Sequence, residues 1–498
     1  MNVAANLERA AFFFPHRPVL SSLKKELTYA ELDEKTGLLA ASLIEMGLKP
    51  GERVALWAAN SPEWVIAYFG ILKAGGVAVT LSSLLSTDEL SLLVKHAQPR
   101  FAITDNVEGF KALGLSLGAI VGPGGDTDLW GLIDRAQGRT KSVERMRTDV
   151  AAILYTGGTT GIPKGVMLTH ENINVTAQNV AFVERSTEHD RALCFLPLHH
   201  VFGQVHIMLG TILSAGSLEL LSSFNMELVL DILADKRVTK FFSVPTIYVR
   251  LSNLPSLREK LGAVRYCFSS ASSLPAEIIR QWKAATHITI SEGYGMTESA
   301  SAVTYNHYYL HRETSVGQTV PGVEVEIRDG SGKRMKEGEE GEICVSGRNI
   351  MKGYLDNPME TEAAFWQDGW FRSGDIGVLD EDGYLFIVDR LKDLIITGGE
   401  NVYPREIEEA LYQRPEVQEC SVVGLPDPQW GERVVAFIVP KEGEAVSGTE
   451  LKSFLKARLS PYKVPKEYVV LKELPKGSTG KILKRQLKET FGRPGIKA

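Results

Sequence analysis

Short apolar runs that alternate with stretches of helical spacing constrain this chain more than any other feature. Residues 29–46 carry apolar side chains at helical spacing, whereas residues 53–57 and 76–81 are short apolar runs. Helices and strands in alternation bury their apolar surfaces by stacking in layers, so the expected fold class is α/β. The rhythm resumes at residues 150–155, an apolar run that stops at a Gly/Thr loop, Thr156 to Gly161, placed to expose backbone N–H groups. Between Thr319 and Ser346 the texture changes to short β-rich pieces, residues 323–327 and 341–345, joined by Gly, Lys and Glu turns, which predicts a small β subdomain.

Past Arg390 a further unit begins. Pro404 sits near the start of a helix carrying Ile407 and Leu411; apolar runs follow at residues 421–423 and 434–439, then a helix over residues 450–459 and a strand near Val469. The chain has 498 residues, too many for one hydrophobic core, and shows no repeat or long Gly/Ser linker. The expected organisation is a large N-terminal domain of layered α/β subdomains with the small β subdomain, residues 1–389; a short hinge, residues 390–392; and a small α+β C-terminal domain, residues 393–498.

Charge and cysteine usage remove several function classes. A formal net charge of -6 carries no basic excess, which argues against nucleic-acid binding while allowing local basic pockets for phosphates. Cys194, Cys267, Cys344 and Cys420 lie far apart with no C-x-x-C pair, so neither a zinc knuckle nor a disulfide framework is expected, and a reducing cytoplasm is the natural setting. Residues 1–14 hold no basic lead before a signal-length apolar run. The apolar stretch at residues 65–79 is interrupted by Lys73 and falls short of the roughly 20 residues that span a bilayer. A peripheral membrane contact and a homodimer both remain open on these grounds.

The segment Tyr155-Thr-Gly-Gly-Thr-Thr-Gly-Ile-Pro-Lys-Gly165 joins flexible glycines, hydroxyl donors and one lysine directly after a predicted strand, a composition suited to a polyphosphate. It is not the common P-loop, because Pro163 precedes Lys164 and Gly165 follows it. Further segments accompany it: Pro197-Leu-His-His-Val-Phe-Gly203, Gly293-Tyr-Gly-Met-Thr-Glu-Ser299, Trp370-Phe-Arg-Ser-Gly-Asp375, Asp389-Arg-Leu-Lys-Asp393 leading to Gly398-Gly-Glu-Asn-Val-Tyr-Pro404, and Pro475-Lys-Gly-Ser-Thr-Gly-Lys481. His199, His200 and His206 lack the spacing and carboxylate partners of a catalytic zinc site, which argues against a metal hydrolase.

In this order, and over nearly the whole chain, the six segments resemble the adenylate-forming superfamily of acyl-CoA synthetases, nonribosomal-peptide adenylation domains and firefly luciferase. The sequence looks closest to bacterial fatty-acyl-CoA ligases and 4-coumarate-CoA-ligase-like enzymes, through Asn349-Ile-Met-Lys-Gly-Tyr354, Asn357-Pro-Met-Glu-Thr361 and Gly399-Glu-Asn-Val-Tyr-Pro404. The resemblance implies an acid–thiol ligase. ATP and a carboxylic acid give acyl-AMP and pyrophosphate; acyl-AMP and coenzyme A then give acyl-CoA and AMP. It also implies Mg2+, a hard cation that takes oxygen ligands.

Carried onto this sequence, the resemblance assigns the phosphates to Thr156, Gly157, Gly158, Thr159, Thr160, Gly161 and Lys164, whose donors suit anionic oxygens. It implies that Tyr294 stacks on adenine, with Ser270, Ala271 and Ser272 as the opposing wall and Gly293, Gly295, Met296 and Ile387 around it. Thr297 would meet the α-phosphate, and Glu298, with Thr159, would hold Mg2+. Asp375 would accept from the ribose hydroxyls and Arg390 would donate to the same sugar. The implied catalytic residues are Lys481, Thr159, His200 and Glu298, with Lys481 neutralising charge between carboxylate and α-phosphate. His200 would gate or position the carboxylate, a structural histidine being the alternative. Between half-reactions the C-terminal domain would rotate about Lys392, bringing Gly398, Gly399 and Glu400 to line the coenzyme A channel. Two positions depart from the pattern: Gly157 stands where many relatives have serine, and Ser373 where threonine is usual.

The implied acyl site comprises His200, Val201, Phe202, Gly203, Ser243, Val244, Thr246, Ile247, Gly295 and Met296. These residues are mostly apolar and include no basic anchor, nor is there an Asp to hold an ammonium group, so an α-amino acid is not expected. A medium- or long-chain fatty acid is the leading substrate, with an aryl or alicyclic acid as the alternative. Coenzyme A is the leading acceptor over a carrier protein, and a non-catalytic nucleotide or acyl-adenylate sensor is the reading from another class, disfavoured because Lys481 and Glu298 are both present.

Overall fold

The computed structural model describes residues 1–22, 25–157, 163–235, 237–255, 257–307, 310–477 and 480–492. Among them lie four sheets, of nine, seven, four and five strands. The seven-stranded sheet runs Gly353–Tyr354, Lys164–Thr169, Val150–Thr156, Val77–Leu81, Arg53–Trp57, Phe101–Thr104, Ala119–Val121, and the last five of these are parallel. Parallel strands covered by helices on both faces read as unbroken apolar runs, and Val77–Leu81 is buried at every position. The helix Pro62–Lys73 that precedes it begins with Ser61, whose hydroxyl accepts from the Trp64 N–H, and with proline in the first turn. Thus the apolar stretch at residues 65–79 divides into a helix and a strand. Lys73 is buried at the helix end because Asp33 receives its ammonium at 2.6 Å. No helix among the described residues is long and apolar enough to cross a membrane.

The nine-stranded sheet places Gln318–Thr319, Thr304–Tyr305, Ile290–Tyr294, Tyr266–Ser269, Lys240–Ser243, Arg191–Cys194, Ser217–Leu220, Pro18–Ser21 and Glu26–Thr28 side by side. The six strands from Ile290–Tyr294 to Pro18–Ser21 are parallel, so their carboxyl ends open on one side, where ligands bind in open α/β sheets. The small β subdomain is a four-stranded antiparallel sheet of Val323–Arg328, Gly341–Gly347, Phe371–Leu379 and Leu385–Arg390. Beyond it, Ile395–Thr397, Glu400–Val402, Val417–Asp427, Gly431–Pro440 and Glu467–Val470 form the last sheet. The helices Pro404–Leu411 and Gly448–Lys456 pack against that sheet, burying Ile407, Leu411, Leu451 and Leu455 in its apolar cluster. The largest apolar cluster extends from Val3 to Leu385, and two smaller ones lie wholly beyond Arg390.

Candidate active site

The strand Val150–Thr156 returns antiparallel as Lys164–Thr169, with Thr156 opposite Lys164 in register. Both ends of the Gly/Thr loop are therefore held at one place on the sheet; Gly158, Thr159, Thr160 and Gly161 lie outside the described residues. A Cβ on Gly157 would meet nothing within 4 Å, so this position is open. The Lys164 ammonium forms an ion pair with Glu360 and stands 5.0 Å from the centre of the Tyr354 ring. The Tyr354 hydroxyl donates to Oε1 of Glu298 at 3.0 Å, so the lysine, the phenol and the carboxylate form one chain of contacts.

Glu298 sits in a single turn, Thr297–Ser299, whose position is set by tight packing on either side. A Cβ on Gly295 would lie 1.7 Å from the Ser301 carbonyl oxygen, a separation no side chain tolerates. Asn349, fully buried, donates to the carbonyls of Ser299 at 3.3 Å and Ala302 at 2.7 Å, and the Met351 N–H donates to the Glu298 carbonyl at 2.7 Å. Burial pushes the Glu298 carboxyl above its ordinary pKa, against the Tyr354 hydrogen bond and the charges of Lys164 and Arg390. Among the described residues no group of three or more His, Cys, Asp or Glu could hold a metal by itself. A single carboxylate beside phosphate oxygens nonetheless suits Mg2+, which keeps few protein ligands and shares substrate phosphates.

Pairing in the β subdomain assembles the next group. Asp375 lies opposite Arg390 in register, and its Oδ1 stands 3.3 Å from Nε of Arg390. Tyr294, at the carboxyl end of its strand, donates its hydroxyl to Oδ2 of Asp375 at 2.7 Å. The Ser373 hydroxyl accepts from the Asp375 N–H at 3.0 Å, so serine performs at this position the local bond that threonine would also make. Ser270 donates to the Gly293 carbonyl at 3.2 Å, tying its loop to the Tyr294 strand.

The C-terminal segment closes over this group. Lys476 and Ile482 pair as an isolated bridge, and Gly480 between them meets the first turn of the helix Pro245–Ser252, where Thr246 donates to the Gly480 carbonyl at 3.3 Å. A Cβ on Gly480, which has φ +79, would come within 3.1 Å of Val244. This sets Lys481 beside the carboxyl end of the strand Lys240–Ser243. Burial, then the nearby Arg390, drives the Lys481 ammonium down to about 7, with Asp375 opposing. The same lysine acts on His200, whose ring is pushed down to about 4 by burial first and Lys481 second. The Phe202 N–H donates to Nδ1 of His200 at 3.3 Å, which assigns the proton of the neutral ring to Nε2.

Beyond His200 comes buried Val201, and the chain then enters a π-helical segment, Phe202–Leu209, in which Phe202 and Gly203 are buried. A Cβ on Gly203 would lie 2.4 Å from the Pro197 carbonyl oxygen, so glycine permits this turn to fold back. Phe202 and His206 meet Phe268 at 5.9 and 4.7 Å between ring centres, and Phe268 stacks on Tyr305 at 4.7 Å. Behind them Glu184, fully buried, binds His206 at 2.8 Å and Lys240 at 2.9 Å.

Lys164, Tyr294, Glu298, Asp375, Arg390, His200 and Lys481 thus come from six distant segments to one side of the sheets. Ser243 is buried at the end of its strand, and Ile247 is buried in the helix Pro245–Ser252. Lys392 lies exposed in the turn Leu391–Asp393. Gly398 packs on Trp430, while Gly399 and Glu400 are exposed; among the described residues no hydrogen bond or ion pair links these three to Asp375 or Lys481. Tyr354, Asn349 and Glu360 are the additions from the structure: the motifs containing them are visible in the sequence, but their bonds to Glu298, its turn and Lys164 depend on tertiary contact. A network joining the last domain to the rest was also invisible: the Arg405 N–H donates to Asp389 at 2.9 Å, and Lys484, paired with Glu408 at 2.9 Å within the last domain, also acts on the Asp389 carboxyl.

Residues 7–355 match the AMP-binding enzyme family, and residues 406–481 match the AMP-binding enzyme C-terminal domain. The chain is 36% identical over 488 residues to feruloyl-CoA synthase from an Amycolatopsis species, covering 97% of this chain and 98% of that protein. It is also 36% identical over 524 residues to a long-chain-fatty-acid–CoA ligase of Bacillus subtilis strain 168, covering 97% and 93%. Among solved structures, ATP-bound MatB from Rhodopseudomonas palustris is 34% identical, matches 99% of both chains and superposes with a TM-score of 0.91. Apo MatB, at the same identity and coverage, superposes with a TM-score of 0.81.

Proposed function

The chain belongs to the family of AMP-binding enzymes, and from that premise we propose how its residues divide the work of an AMP-forming acid–CoA ligase. Substrate binding places the triphosphate against the loop between Thr156 and Lys164, where Lys164 exchanges Glu360 for a phosphate oxygen. Tyr294 presents its ring to the adenine, and Asp375 exchanges the Tyr294 hydroxyl for ribose hydroxyls while Arg390 steadies its other oxygen. When bound, Mg2+ would neutralise charge on the phosphates, with Glu298 and Thr159 as the residues that would hold it.

A carboxylate oxygen of the acid attacks the α-phosphorus, the bond to the β-phosphate oxygen breaks, and pyrophosphate leaves. Lys481 sets its ammonium where negative charge concentrates, and neutral His200 offers an Nε2 proton to the carboxylate. In the second half-reaction the thiol sulfur attacks the acyl carbon, the bond to AMP breaks, and AMP leaves. We assign that step to a different arrangement of residues 393–498, with Gly398, Gly399 and Glu400 moved toward the acyl-adenylate about Lys392. The closer match to ATP-bound than to apo MatB supports reading the present arrangement as the adenylate-forming one.

The observation that carries this reading is the seat of the Lys481 turn on Val244 and Thr246, which brings a C-terminal cation to the nucleotide and acyl residues. The acid is an apolar monocarboxylate, because Val201, Val244, Ile247 and Met296 offer no cation to a second carboxylate; a medium- or long-chain fatty acid fits this lining. The Phe202–Phe268–Tyr305 stack favours a second reading, an aryl acid packed ring against ring. Incubation with Mg-ATP, coenzyme A and a mixed pool of fatty and aryl acids, followed by mass spectrometry, distinguishes them. Long-chain thioesters are expected to dominate; aryl thioesters would favour the second reading, and absence of any thioester or pyrophosphate release would remove the ligase assignment.

A further inference from the structure

Three phenylalanines stand in solvent at one edge of the N-terminal domain: Phe12 is 79% exposed, Phe13 64% and Phe182 71%. Phe12 and Phe13 end the helix Ala5–Phe13, whose opposite face buries Leu7, Ala10 and Ala11, and their rings meet edge to face at 5.1 Å. Phe182 lies at the end of the helix His170–Val183. These helices lie side by side and run the same way. The Val3 N–H donates to His170 at 3.2 Å, Asn6 donates to Asn174 at 2.6 Å, and past both helices Arg17 donates to the Glu188 carbonyl. That register sets Phe12 and Phe13 level with Phe182. A helix face turned to water usually carries polar side chains, so three aromatics gathered there mark a contact surface.

We propose that this face docks the protein on an anionic bilayer surface. Cations surround the aromatics: Arg9 is exposed on the same helix face, Arg185 follows Phe182, and Arg17 and Arg237 line an adjoining cavity of about 280 Å3, where Arg191 is already paired with Glu219 at 3.1 Å. The nearby carboxylates are largely engaged within the fold. Glu184 is buried against Lys240 at 2.9 Å, and Asp190 receives Arg265 at 2.6 Å; Asp235, on the cavity wall, is the exposed exception. Aromatic rings settle at the headgroup boundary while arginines meet lipid phosphates, which matches this mixture of side chains. A second copy of the chain would also cover the rings, but a two-fold contact sets the same patch against itself and brings like-charged arginines together. The cavity lies at the amino ends of the strands Arg191–Cys194 and Ser217–Leu220, whereas Val244, Ser269 and Tyr294 lie at carboxyl ends. Docking therefore leaves the candidate active site and the Lys481 turn uncovered. The inference is independent of which acid is activated.

The test is co-sedimentation of the full chain with phosphatidylcholine vesicles made with and without phosphatidylglycerol. Binding is expected only when phosphatidylglycerol is present, and it should weaken with added salt. The triple substitution F12S/F13S/F182S should lower the vesicle-bound fraction constant roughly tenfold, and R9Q/R185Q should weaken binding and its salt dependence, with pyrophosphate exchange unchanged in both. No binding to phosphatidylglycerol vesicles, or equal binding by the triple variant, overturns the proposal. So does a triple variant that turns a dimer into a monomer without any wild-type vesicle binding, since the face would then serve a second copy.

Discussion

Lys481 carries a charge that its surroundings oppose. Burial and Arg390 bring its ammonium down to about 7, and a cation whose charge is resisted in the free enzyme gains most from an arriving phosphate. Because kcat/KM reports the free enzyme, pyrophosphate exchange should fall as pH rises through about 7, where Lys481 loses its proton. Lys481→Arg, which stays charged, should remove that fall if any exchange persists. Lys481→Ala should lower adenylation by about a hundredfold or more while thioester formation from supplied acyl-AMP stays within severalfold of wild type. Equal loss of both half-reactions would count against its place in the first one. At the same scale, the Tyr294–Asp375 hydrogen bond has a plain consequence: each group saturates the other until nucleotide arrives, so neither is left as a buried orphan.

At the scale of elements, the strand Ile290–Tyr294 works on two sides. Its end presents Gly293 and Tyr294 to the site, while Glu292 turns toward the C-terminal domain, where Arg405 and Glu409 act on it. Burial raises the Glu292 carboxyl to about 7 from an ordinary 4.5. Between those values the folded chain holds a proton that the unfolded chain has released, so this group stabilises the fold less and less as pH rises toward 7. Glu292→Gln keeps an acceptor for the Leu274 N–H, which donates to Glu292 at 3.2 Å, and removes the titration. The variant should gain stability over wild type as pH rises from 5 to 8, by a difference on the order of 2 kcal/mol. Thermal unfolding across that range checks it; parallel curves for the two proteins would show that Glu292 does not titrate there.

For the whole molecule, hydrogen bonds among the described residues tie the last domain to the rest at several points: Arg405 with Asp389 and the Ile387 carbonyl, Glu409 with the Ala276 N–H, and the Gly480 carbonyl with Thr246. The apolar clusters beyond Arg390 are their own, so a rotation would expose little apolar surface. Gly399 offers a clean test of such a rotation. It has φ +86, lies exposed at a hairpin tip, and a Cβ there meets nothing within 4 Å in the present arrangement. Gly399→Leu should therefore spare pyrophosphate exchange apart from a backbone strain of about 1 kcal/mol, yet block transfer to coenzyme A. Unimpaired transfer in that variant would defeat the assignment of Gly398, Gly399 and Glu400 to the thiol channel.

The sequence by itself determined what depends on neighbours in the chain: the layered α/β class, the β subdomain, the helix beginning at Pro404, and the motifs that place the family. Periodicity and turn chemistry are local, and six ordered motifs carry enough information to name a reaction class. Only the tertiary structure decided which side chains meet. Asp375 faces Arg390 because two strands pair, Glu298 is bonded by Tyr354 because a strand and a turn from different segments touch, and Gly480, next to Lys481, meets Thr246 because the last domain folds back. Likewise Phe12 and Phe182 look like ordinary core residues in the sequence, where nothing records which face of a helix is left without a partner. Such contacts join residues from 15 to 234 positions apart, and no preference of a residue for its immediate neighbours encodes them.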